Sequence, residues 1–71
     1  MLYYMDAFEF EMNIMHVIQT MTSREKQDKV RVSTTTQLTH ISSKDYQYIS
    51  MKYNIEFILC PKSNQLFIKF K

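Results

Sequence analysis

The side chains that could ligate, attack or stack in this chain are few and scattered. His16, His40 and Cys60 are the soft donors, and a metal site needs several such groups at ligand spacing. None of the three has a partner at that spacing, so they read as surface or strand residues, with Cys60 a small hydrophobe inside an apolar run. A nucleophile needs a base and an orienting group, and phosphate cradles and nucleophile elbows are built on glycine. The sequence contains no glycine. The chain is therefore expected to be non-enzymatic, with no metal and no cofactor.

The last strand-like run, Gln65-Leu66-Phe67-Ile68-Lys69-Phe70-Lys71, carries more mechanism. Phe67, Lys69 and Lys71 fall on one face at the strand period, where aromatic and basic groups could stack on and neutralise single-stranded nucleic acid. Three residues do not make a platform, and the formal charge of +2 is slight beside that of nucleic-acid-binding domains. A solvated edge protected from aggregation by lysine is the better account, and direct nucleic-acid binding is not expected. Gln65 to Phe70 also resembles the hexapeptide by which bacterial replication proteins dock on the DNA sliding clamp. That resemblance implies Gln65 in one subsite and the aliphatic and aromatic residues in another, a short extended peptide on a hydrophobic groove. The same residues equally form an amphipathic strand with Leu66, Ile68 and Phe70 inward, and this is the stronger reading.

The elements that would position these groups follow from period and punctuation. Tyr53 to Cys60 and Gln65 to Lys71 are dense in β-branched and aromatic residues and flank Pro61-Lys62-Ser63-Asn64, which predicts a β-hairpin. Its inward face is expected to be Ile55, Phe57, Leu59, Leu66, Ile68 and Phe70. Ser42 or Ser43 can cap a helix over about Lys44 to Lys52, with Asp45 in the first turn where the helix dipole favours a negative charge. Tyr46, Ile49 and Tyr53 share its inner face, with Tyr48 and Met51 on the flanks. Lys29 to Gln37 alternates through Val30, Val32, Thr34 and Thr36 and predicts a half-buried strand ending near Leu38. Thr22 to Asp28 is a solvated connection.

Residues 8 to 20 fit two templates. Phe8, Phe10, Met12 and Ile14 alternate at the strand period, whereas Phe10, Ile14, Val17, Ile18 and Met21 recur at helical spacing. A strand over about Asn13 to Thr20 is expected, because a charged turn and a second alternating run follow it; the Met and Glu content argues for a helix. Residues 1 to 11 read as an N-terminal extension. The expected fold is α+β: a small single domain in β-β-α-β-β order, one mostly antiparallel sheet with a helix on one face.

Composition sets the outer bounds. Seventy-one residues make one domain, of net stability roughly 5 kcal/mol. A partner protein is a plausible part of that stability, and a homodimer is a separate open reading. Hydrophobic content of 45% with 14% aromatics is globular, and no apolar run approaches the roughly 18 residues that span a bilayer. Asp6, Glu9 and Glu11 precede any Lys or Arg, the wrong charge for a presequence. With one cysteine, a reducing cytoplasm fits. Without glycine, tight turns must draw positive φ from Asn54, Asn64 or Asp28.

Met51-Lys52-Tyr53-Asn54-Ile55-Glu56-Phe57-Ile58, between a helix and a hairpin, and Arg24-Glu25-Lys26, before an alternating strand, together resemble the epsilon subunit of RNA polymerase from low-GC Gram-positive bacteria. The likeness covers roughly Asn13 to Phe70, with about eight positions close. It implies a compact α+β accessory subunit that binds the polymerase core and has no activity of its own. Arg24, Glu25, Asn54, Glu56, Gln65, Phe67 and Lys69 are the expected partner-binding residues. The departures are a short loop before Arg24, and Pro61-Lys62-Ser63-Asn64 leading to Lys69 and Lys71 where the family's last hairpin is acidic with a glycine turn. Richness in Lys, Ile, Asn, Tyr, Phe and Met is what an AT-rich genome encodes, which fits a low-GC bacterium or its phage. The alternative expectation is a phage-encoded inhibitor of a host protein such as the sliding clamp, docking through Gln65 to Phe70.

Overall fold

A computed structural model describes residues 4–71. Its order is α1 (Ala7–Thr20), β1 (Val30–Thr34), α2 (Ser43–Tyr53), β2 (Ile55–Cys60) and β3 (Gln65–Phe70), with short 3-10 turns at Glu25–Gln27 and Thr35–Leu38. The strands form one antiparallel sheet in the order β1-β3-β2. The class is α+β, as the sequence predicts, but among the described residues the order is α-β-α-β-β, with two α-helices and three strands.

The difference lies in the first element, where the expected strand over Asn13 to Thr20 is the second half of helix α1. Asp6 caps it by accepting from the Glu9 backbone N–H at 2.8 Å, which satisfies a donor that has no partner within the helix. Phe10 and Ile14 are fully buried, with Val17 and Ile18 packed beside them. A strand would have turned Phe8 and Met12 inward with Phe10; they are instead 71% and 53% exposed. The helical period therefore wins because the core lies along one stripe. Of the expected extension 1–11, Met1, Leu2 and Tyr3 lie outside the described residues, and Asp6 onward belongs to α1 and its cap.

Helix α2 matches its predicted span to within a residue. Ser42 accepts from the Asp45 backbone N–H at 3.3 Å, and the Asp45 carboxylate accepts from the Ser42 N–H at 3.1 Å, a reciprocal cap. The helix ends on Asn54 at φ 55°, and Asn64 at φ 52° closes the hairpin turn. Two asparagines thus fill left-handed positions that glycine usually takes. The third candidate, Asp28, is extended at φ −130° and is not needed there.

Both helices pack on one side of the sheet. Phe57 of β2 stacks on Phe10 at 5.7 Å between ring centroids and meets Tyr46 of α2 edge-on at 5.3 Å. Ile49, Ile55, Leu66 and Ile68 complete the buried centre. The predicted inward face of the hairpin is correct in register, since Ile55 pairs with Phe70, Phe57 with Ile68 and Leu59 with Leu66. Leu59 departs from the expectation: it is 58% exposed, standing at the hairpin end of the edge strand β2, beyond Phe57, where that strand meets the two helices. The predicted Lys29 to Gln37 strand is also shorter. A bulge between Arg31 and Ser33 breaks its alternation, and Thr35–Leu38 turns into 3-10 helix. The bulge sends Ser33 into the core, 4% exposed, where its hydroxyl donates to the Gln37 side-chain oxygen at 2.9 Å.

Candidate interaction face on the open side of the sheet

With both helices on one side, period-two geometry sends every second residue of the sheet to the uncovered side. The ladder fixes which residues meet there. Arg31 of β1 stands opposite Phe67 of β3, which stands opposite Ile58 of β2. On either side of that row, Lys69 faces Glu56, and Gln65 faces Thr34 on one flank and Cys60 on the other. Because β3 is central, Phe67 occupies the middle of the face. Phe67, Ile58, Cys60 and Gln65 are half-buried, and Arg31, Lys69 and Glu56 are exposed.

Lys29, one position before β1, extends its ammonium over the Phe67 ring at 4.9 Å from the centroid, a cation–π distance. Beside β1 an open groove of about 600 Å³ is lined by Arg24, Glu25, Asp28, Lys29 and Arg31 among others. Its two carboxylates are engaged locally: Glu25 accepts from the Thr22 N–H and Asp28 from the Lys29 N–H. Among the described residues the ion pair within 4 Å is Lys52 with Glu11, on the helical side. Lys29, Arg31 and Lys69 therefore have no carboxylate in salt-bridge range, although Glu56 is the cross-strand neighbour of Lys69. Cys60 sits at the turn end of the face, and the Ser63 hydroxyl and backbone draw its thiol pKa below the usual value.

No protein-family model, curated protein or solved structure matches this chain.

Of the seven sequence-predicted site residues, Glu56, Gln65, Phe67 and Lys69 share the open face, and Arg24 and Glu25 line the adjoining groove. Asn54 has a different role. It ends α2 in the left-handed region, its N–H donating to the Ser50 carbonyl and its own carbonyl accepting from the Lys71 N–H at 3.3 Å. The residues that sequence reasoning missed are Lys29, Arg31 and Ile58. The signal for the first two was present, since alternation with Val30 places them on the face away from the core; their meeting with Phe67 needs the β1–β3 register. The clamp-like hexapeptide is β3 itself, with Leu66 and Ile68 buried and both strand edges paired. Offering it as an extended peptide would require extracting the central strand.

The other polar cluster ties the helices together. Glu11 of α1 accepts from the Lys52 ammonium and from the Tyr53 hydroxyl of α2, each at 2.7 Å. These donors hold the Glu11 carboxyl below the usual carboxylate range, and pairing with Glu11 raises Lys52 above its ordinary value. Desolvation and then the Glu11 hydrogen bond raise Tyr53. Every charge in the cluster is answered within it, so it acts as a latch.

Proposed function

We propose that this chain is a non-catalytic protein-binding module that works through the open face of its sheet, with the RNA polymerase core as its target. The observation that carries the reading is the composition of that face: an apolar centre of Phe67 and Ile58, rimmed by Lys29, Arg31 and Lys69. An apolar centre with a polar rim is the usual anatomy of a protein interface, and aromatic and arginine side chains are its usual anchors. The choice of polymerase rests on the resemblance around Arg24-Glu25-Lys26 and Tyr53 to Ile58. Arg24 and Glu25 line the same groove as Arg31, so the first of those segments adjoins the face.

Size-exclusion chromatography with purified RNA polymerase core from a low-GC Gram-positive bacterium tests the proposal. Co-elution that is lost in a Phe67→Ala variant supports it. Failure to co-elute, with recovery of the DNA sliding clamp when the tagged protein captures partners from a lysate of that bacterium, replaces the target. The clamp would then meet the whole face, with Gln65→Ala weakening binding by about 1 to 3 kcal/mol. If the protein elutes alone as a homodimer, both targets are excluded.

A further inference from the structure

The rim of the open face carries more cations than acids. Lys29, Arg31 and Lys69 surround Phe67, Glu56 is the acid opposite Lys69, and among the described residues no ion pair within 4 Å joins any of them. Like charges gathered on one sheet face repel, and a partner of opposite sign relieves that repulsion while it steers the encounter. The helical side is different, because there Glu11 answers Lys52 and Tyr53. The centre of the open face is apolar, and Phe67 and Ile58 form its middle row with Arg31 at the end.

From this juxtaposition we infer that the face takes an acidic protein surface bearing one projecting aromatic or aliphatic side chain. That side chain seats on Phe67 and Ile58, and the flanking carboxylates meet Lys29, Arg31 and Lys69. A single-stranded nucleic acid also offers negative charge, but it needs successive aromatic rings on which to stack its bases. Among the described residues the face holds one ring, Phe67, and its neighbour in the row is the aliphatic Ile58, so successive bases have no second ring to stack on. Arg31 suits a carboxylate because its planar fork can donate two parallel hydrogen bonds. The inference rests on the open face being the binding surface, as proposed above, and adds the chemistry of what it binds.

Three labelled probes distinguish the outcomes by fluorescence anisotropy: an Asp/Glu-rich peptide with one central Phe, the same peptide with Ser in place of Phe, and oligothymidylate. The Phe peptide should bind, weaken as salt is raised, and lose about tenfold in affinity with each of Arg31→Glu and Lys69→Glu, a scale typical of close interfacial charge pairs. Lys69→Arg should retain binding, and circular dichroism melts should show all three variants folded. Equal binding of the Ser peptide, indifference to charge reversal, or preferential binding of oligothymidylate would each overturn the inference. Polymerase co-elution is read separately. If it survives Arg31→Glu and Lys69→Glu, the target stands and the acidic chemistry falls. If the Phe peptide binds as described but polymerase does not co-elute, the chemistry stands and the target falls.

Discussion

The side-chain amide of Asn13, on α1, donates a 2.9 Å hydrogen bond to the backbone carbonyl of Val32, the residue that the β1 bulge leaves without a cross-strand partner. A polar side chain in the middle of a helix thus partners the Val32 carbonyl where the register of the ladder shifts. A buried carbonyl without a partner is costly.

Asn13→Ala should therefore lower stability by about 1 to 2 kcal/mol, the scale of orphaning a part-buried acceptor. The midpoint of urea unfolding reads this directly. An unchanged midpoint would mean that water serves the Val32 carbonyl equally well.

The helical assignment of residues 7 to 20 separates two phenylalanines that a strand would treat alike. Phe10 is fully buried and Phe8 is 71% exposed. Truncating Phe10 to Ala should cost about 3 to 5 kcal/mol, most of the stability of so small a domain, whereas Phe8→Ala should stay within about 0.5 kcal/mol. Comparable losses from both, measured by thermal melts, would restore the strand.

The latch between the helices makes stability depend on pH in a defined direction. Glu11 has a lower pKa folded than unfolded, because Lys52 and Tyr53 donate to its carboxylate. Its contribution is thus complete above the unfolded Glu value of about 4.3 and is lost as the pH falls through the lower folded value. Glu11→Gln should reduce the melting temperature at pH 7, and the gap to the unsubstituted chain should close under acid conditions. A gap that persists unchanged at pH 2 would show that the carboxylate's charge plays no part.

Asn54 at φ 55° and Asn64 at φ 52° define a contrast between two small substitutions. At either position Gly should be tolerated within a few tenths of a kcal/mol, while Ala should cost about 1 kcal/mol, because a Cβ disfavours the left-handed region and Ala lacks the local hydrogen bonding of Asn. If Ala and Gly give the same melting temperature, these positions are not held left-handed in solution.

What the sequence could reveal depended on whether its signals were local. The hairpin was legible because its turn formers and its β-branched runs are adjacent, and α2 because Ser42 and Asp45 announce its start. Residues 8 to 20 were not: Phe10 and Ile14 belong to both the alternating and the helical pattern, and only a core on one side excludes Phe8 and Met12. The face was half legible. Phe67 and Lys69 show themselves by alternation within one strand, whereas Arg31 joins them through a register set by distant packing and shifted by a bulge. Leu59 satisfied the pattern of a core residue and missed the core because it stands at the outer end of an edge strand.

Strand β3 lies between β1 and β2, but the two pairings differ in how far the chain must travel to make them. Four turn residues connect β2 to β3, whereas β1 reaches β3 only after the whole of α2 and β2 has been placed. Closing the longer loop costs more chain entropy and rewards it later, so the hairpin should assemble first, with β1 docking afterwards and detaching first. The open face then has parts of unequal lifetime. On that expectation Phe67 and Ile58 belong to the part that assembles first, and Arg31 and Lys29 to the part that should detach first. Amide hydrogen exchange should show β1 exchanging ahead of β2, and any partner that grips the cations would slow that exchange, fastening the sheet in the act of binding to it.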